Sequence, residues 1–318
     1  MAKKLPAIVK QIQKHKLQEI NYAYQKNISF SQLQMFDQCP HKWNMVYRAG
    51  IKIYQPSIHT VFGKAFHETI QNYLTVLYET SGVEADKLDL HQDLHDRLIH
   101  HYKDELKGNN NEHFSTSEEL KEFWEDGCGI LDYLKKKRSG YFAVKGWSLV
   151  GVEIPITLTP HVGYQNTIYK GYLDLVLYHE PTDSFEIIDF KTSKSGWGDY
   201  AKKDEMKQMQ LILYKDFFHK QFNIPLDSIR VKFLIVRRKV SINPYTEAIT
   251  SRFQEFVPAS GTKKINQARK AIEDFITECF DRDGGYLVKE HPKRPSQSNC
   301  RFCPFRDMPE VCSEGVGA

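Results

Sequence analysis

Cysteine is scarce in this chain. Six in 318 residues are too few for the disulfide framework of a small secreted protein. No apolar run approaches the length of a membrane span. The basic start, "MAKKLPAIVKQIQKHK", lacks the apolar stretch of a secretory signal, so a cytoplasmic protein with no membrane partner is expected. There is no internal repeat and no low-complexity tract. No GxxxxGK[ST] phosphate loop is present, which excludes a helicase motor within these residues and leaves that role to a partner. A net charge of +4 is too small by itself to mark a polyanionic partner.

What is present is the composition of an ordinary folded α/β or α+β protein, with 41% hydrophobic and 26% charged residues. Residues 1–27 read as a loosely attached basic arm, and residues 28–318 as a single domain. Ser29 with Gln32 forms a capping box, and Pro40 suits the first position of a second short helix. "VFGKAFHETIQNYLTVLYE" reads as a third helix. Residues 83–140 read as a helical insertion, with Thr116 and Glu119 as a further capping box. Strand patterns follow at "WSLVGVEIPITLT", "TIYKGYLDLVLYH" and "SFEIIDFKTS". After them come one long helix over 199–222, strands at "SIRVKFLIVRRKV" and "AITSRFQEFVPA", and a last helix from Lys263 to Phe280. Basic clusters at Lys135–Arg138 and Arg237–Lys239 suit phosphate contacts or a solvated face.

The chemistry concentrates in "GYLDLVLYHEPTDSFEIIDFKT". Two strands flank "EPTD", which predicts a hairpin. A turn centred between Pro181 and Thr182 sets Asp174 opposite Asp189. Like charges so placed cost a few tenths to about 1 kcal/mol, and a divalent cation between them reverses the sign. Carboxylate oxygens suit Mg²⁺ and Mn²⁺. Lys191 lies two residues past Asp189, hence on the same strand face. Glu153 on the preceding strand offers another carboxylate. His67, one helical turn after Gly63, offers an imidazole. Gln210 and Tyr214, one turn apart, share a helix face. Aspartates with an Asp-x-Lys triplet suit metal-assisted phosphodiester hydrolysis.

The motifs "GxxxH", "GYLD", "IIDFKT" and "QLILY", in this order, resemble the RecB-like branch of the PD-(D/E)XK nuclease superfamily. "SFSQLQMFDQCPHKW" resembles that branch's N-terminal Ser-x-Leu and Cys-Pro element. The iron–sulfur members are the most similar: CRISPR-associated RecB-like exonucleases, AddB-type nuclease domains and standalone phage exonucleases. The resemblance implies a restriction-endonuclease-like core, a central mixed sheet flanked by helices. It implies a metal bound by His67, Asp174, Asp189 and the Phe190 carbonyl, with Glu153 contributing directly or through water. Lys191 would be the catalytic lysine, and Gln210 and Tyr214 would position substrate. The implied activity is DNA hydrolysis, as an exonuclease on ends or single strands. A non-cleaving DNA-binding subunit of a recombination or repair complex and an RNA nuclease are the alternatives.

Cys300, Cys303 and Cys312 are grouped in the tail, whereas a thiolate metal centre takes four ligands. In the iron–sulfur relatives an N-terminal cysteine completes the set, and Cys39 matches it. The resemblance therefore implies a structural 4Fe–4S cluster, with Zn²⁺ as the rival. The gap from Cys303 to Cys312 is longer than is usual in the CRISPR-associated group. Cys128 and Cys279, alone in helical segments, are expected to be packing residues.

Overall fold

The computed structural model describes residues 5–51, 53–242, 245 and 250–313. They fall into two compact units. One takes the chain up to residue 16, 56–155 and 172–261; the other takes 17–55, 156–171 and the chain from 262.

Six strands form one mixed sheet: β1 (Lys26–Ile28), β2 (Trp147–Leu158), β3 (Thr167–His179), β4 (Ser184–Ser193), β5 (Ile229–Arg237) and β6 (Phe253–Phe256). Their order is β1-β3-β4-β5-β6, with β2 also paired to β3. β3–β4 and β5–β6 are antiparallel, while β4–β5 and β1–β3 are parallel. A parallel β4–β5 pair requires a crossover, and the helix between them supplies it. The fold is α/β, as expected.

The hairpin has the register read from the sequence. Its pairs run from His179↔Ser184 to Leu175↔Ile188, centred between Pro181 and Thr182. A helical turn over Glu180–Thr182 and a left-handed Asp183 (φ 45°) close it. One step beyond the last pair, the same register sets Asp174 opposite Asp189.

In the first unit, helix α4 (Ile58–Glu79) packs with α5 (Gly82–Asp86), α6 (Leu90–Gly108) and α7 (Ser117–Lys137). Ser57 caps α4 by accepting from the His59 N–H at 3.2 Å. Thr116 caps α7 by accepting from the Glu119 N–H at 3.1 Å, which is one of the two bonds of the expected capping box. Phe62, Phe66, Tyr73, Leu94 and Leu131 join Phe190 and Leu234 of the sheet in one core. Each such side chain contributes about 1.5–3 kcal/mol on burial. Gly127 lets α7 approach closely, since a Cβ there would meet Leu94 Cδ2 at 2.4 Å.

In the second unit, α2 (Phe30–Gln38) and α3 (Pro40–Trp43) pack with α10 (Thr262–Cys279), and α11 (Gln297–Cys300) precedes the tail. Trp43 is the hub, buried among Phe36, Phe275, Phe280, Tyr286 and His291. Ser29 caps α2 through the Gln32 N–H at 3.4 Å. Only half of the capping box forms, because the Gln32 side chain binds the Asn27 carbonyl and the Trp43 indole instead. Pro40 does open α3.

Several expectations need correction. Part of the basic arm is packed: α1 (Ala7–Gln13) buries Val9 and Ile12 completely or nearly so. The single helix over 199–222 is two, α8 (Asp199–Lys203) and α9 (Glu205–Phe222). Asp204 turns extended between them and caps α9 by accepting from the Lys207 N–H at 3.1 Å. The "AITSRFQEFVPA" strand begins at 248–249, outside the described residues, and its described part is β6. Arg238 is buried, bonded to Asp126 at 2.7 Å and stacked 3.7 Å from the Phe123 ring. Lys239 pairs with Asp126 and Glu122. Arg138 pairs with Asp86, and Lys135 binds the Asp86 and Leu88 carbonyls. These four cations are paired within the protein, while Lys136 and Lys137 of the first cluster are exposed. Among the described residues no helix is long and apolar enough to cross a membrane.

Candidate active site

The hairpin's open end gathers the acids. Its ladder stops at Leu175↔Ile188, so the next residues are free of that pairing. The Asp174 carboxylate turns inward, and its Oδ2 accepts from the Phe190 N–H at 2.8 Å. Asp189 is the deepest group, 2% exposed. Lys191 Nζ forms an ion pair with Asp189 Oδ2 at 2.7 Å and donates to Gln210 Oε1 at 2.8 Å. Gln210 in turn donates to the Tyr214 hydroxyl at 3.2 Å. Helix α9 thus presents both residues to the strand that carries the lysine. Helix α4 brings His67, whose Nδ1 is 3.8 Å from Asp174 Oδ2. The Phe190 ring packs edge-on against the imidazole, with centroids 5.8 Å apart. Gly63 is not required for this approach, because a Cβ there would make an ordinary 3.7 Å contact with Thr192.

Glu153 enters by a distortion. Its φ is +49°, a left-handed backbone inside β2 that a glutamate seldom adopts. Its side chain is open to solvent. Oε1 accepts from Gln71 Nε2 at 2.7 Å. Gln71 lies one turn after His67 on α4. It also donates to the Asp174 carbonyl at 3.1 Å. Sequence reading missed Gln71. A glutamine four residues after a histidine is an ordinary helix residue until its partners, 82 and 103 residues away, are known.

The electrostatics are those of crowded acids around one lysine. Burial, then the charge of Asp189, hold the Asp174 carboxyl well above the usual carboxylate range. Burial also raises Asp189, against the pull of Lys191. Burial alone would lower Lys191, but Asp189 and Asp174 outweigh it and raise the ammonium's pKa. His67 is pushed down to about 4 by burial and by the Lys191 charge, so its imidazole is neutral near pH 7. Burial, with Asp189 adding, pushes the Tyr214 phenol up.

Among the described residues, no three or more His, Cys, Asp or Glu side chains are arranged to hold a metal ion as they stand. The donor chemistry nevertheless fits a hard divalent cation. Two facing carboxylates repel each other, a neutral imidazole adjoins them, and among the described residues Lys191 alone is the lysine offsetting the acids. An added cation would relieve the repulsion that raises Asp174.

In the second unit, Cys39, Cys300, Cys303 and Cys312 line one cavity together with His41 and Lys42. All four are half-buried free thiols. Burial raises the Cys303 thiol, Lys42 opposes this, and the charges of Cys300 and Cys312 add to it. The segment around Cys39 is fastened to the tail. Asn299 donates to the Gln38 carbonyl at 2.8 Å, and His41 Nε2 donates to the Val311 carbonyl at 2.9 Å. Cys128 and Cys279 lie elsewhere and are buried.

A mixed sheet whose central hairpin ends in facing aspartates, with a lysine two residues on, defines the restriction-endonuclease-like class of fold. The sequence profile of the PD-(D/E)XK nuclease superfamily matches residues 27–310, and the chain belongs to that superfamily. Its members are metal-dependent nucleases that hydrolyse phosphodiester bonds and typically use Mg²⁺ or Mn²⁺. No significant match is found among curated proteins.

Proposed function

We propose that this chain is a DNA exonuclease of the RecB-like branch, acting on ends or single strands. The reading rests on one observation above all: Asp174 and Asp189 meet at the hairpin's open end with the Lys191 ammonium against them. His67, Asp174, Asp189 and the Phe190 carbonyl would hold the cation, with Glu153 beside them. When bound, Mg²⁺ or Mn²⁺ would supply Lewis-acid activation of water and of the phosphate. Lys191, kept protonated by its neighbours, offsets charge building on the phosphate oxygens. Gln210 fixes the lysine's direction, and Tyr214 fixes Gln210. The chain lacks a phosphate loop, so a helicase or recombination partner is the expected source of unwinding.

The test is digestion of matched DNA and RNA oligonucleotides with Mg²⁺ or Mn²⁺, against an EDTA control. Asp189→Ala is expected to lower cleavage by at least about 10³-fold while DNA binding persists. Full activity in that variant would sink the assignment. Cleavage of RNA in preference to DNA would redirect it.

The four cysteines are proposed to hold a structural 4Fe–4S cluster. Four thiolates suit a cubane, and ligands from both ends of the second unit's sequence would close a long loop. Anaerobically purified protein should be brown and contain iron. Colourless protein with stoichiometric zinc would replace the cluster with a zinc site.

A further inference from the structure

We infer that Gln71 is a positioning residue that holds Glu153 in its strained conformation and leaves one Glu153 oxygen for the divalent cation or its water. The inference rests on the metal-dependent reading of the site.

Gln71 is 5% exposed, so its amide must find partners within the protein. Both groups near its Nε2 are acceptors, the Glu153 carboxylate and the Asp174 carbonyl. Two acceptors require the NH₂ end, which has two hydrogens, one for each. The side chain's orientation is therefore fixed by its partners. A carboxylate at 71 would face two acceptors and no donor.

The two contacts do different things. The β3–β4 ladder ends at Leu175↔Ile188, so the Asp174 carbonyl lies beyond its pairing, and the amide supplies a donor. The bond to Glu153 acts on a residue at φ +49°, which persists only where its surroundings over-determine it. The amide takes Oε1, and the side chain remains open to solvent. One residue thus ties together the backbone of one acid and the side chain of another, from the helix that carries His67.

The test is calorimetric titration of Mn²⁺ into metal-free protein, with DNA cleavage measured in parallel. Gln71→Met keeps the volume and removes both donors. It is expected to weaken Mn²⁺ binding by about 10–100-fold, with cleavage largely restored at saturating metal. In a Glu153→Ala background the same change should have little further effect. Gln71→Asn keeps an amide that is one methylene too short, and covers the case in which Gln71→Met does not fold. Unchanged Mn²⁺ affinity in either folded variant overturns the role of Gln71. So does full additivity with Glu153→Ala. Absence of Mn²⁺ binding by the wild-type protein would instead overturn the reading of the site itself.

Discussion

Asp174 is crowded by a neighbouring acid. Its folded-state pKa is raised by burial and by Asp189. A carboxyl raised in this way keeps its proton in the folded chain after the unfolded chain has lost it. Unfolding then releases a proton, and stability falls as pH rises from the usual carboxylate range through the raised value. His67 works in the opposite sense. Its pKa is lowered to about 4, so the unfolded chain binds the extra proton and stability rises with pH between that value and the usual imidazole range. Asp174→Asn isolates the first effect. In EDTA, the variant is expected to be more stable than wild type by on the order of 1 kcal/mol at neutral pH, with the difference vanishing in acid. Denaturant melts at several pH values check this. A variant less stable than wild type at neutral pH, without metal, would contradict the repulsion.

The element scale shows how the site is braced. β4 leaves the site through Lys191 and enters a fixed loop. Ser193 Oγ accepts from the Gly196 N–H, and Gln254 bonds both the N–H and the carbonyl of Trp197. Gly196 has φ +100°, and a Cβ would lie 2.6 Å from Arg237 Nε and 2.8 Å from Gln254 Oε1. Gly196→Ala is therefore expected to cost about 1–3 kcal/mol, read as a lowered melting temperature. Arg238, just past β5, offers the contrasting case. Its removal leaves Asp126 with only the half-exposed Lys239, so Arg238→Ala should cost about 3 kcal/mol. The salt dependence of DNA binding should stay unchanged, which a filter-binding series at several ionic strengths would show. A shallower salt slope would return Arg238 to the phosphate-contact role.

These elements also show what a sequence can disclose. The register that sets Asp174 opposite Asp189 was legible because it follows from the hairpin's turn, which is local. Lys191 was legible because period two along a strand is local. The engagement of Arg238 was not, because Asp126 is 112 residues away. Gln71 was hidden for the same reason, and so was the bend at Glu153, which no propensity marks. The break at Asp204 was written in the sequence as an N-cap, but helix formers on both sides obscured it.

At the scale of the whole molecule, two chemistries are separated by unit. The acids, the lysine and Gln71 belong to the first, and the four cysteines to the second. The proposed cluster predicts that Cys39→Ser lowers both iron content and melting temperature, because ligand binding and folding of that unit would be linked. Unchanged iron content would remove Cys39 from the ligand set. On the proposed reading, cleavage belongs to the first unit and turns on the Lys191 ammonium. The most direct measurement is digestion of end-labelled single-stranded DNA in Mg²⁺ by wild type and by Lys191→Ala, with circular dichroism to confirm folding. The account predicts metal-dependent release of short products by wild type and none above background from the folded variant. Equal digestion by both proteins would contradict it.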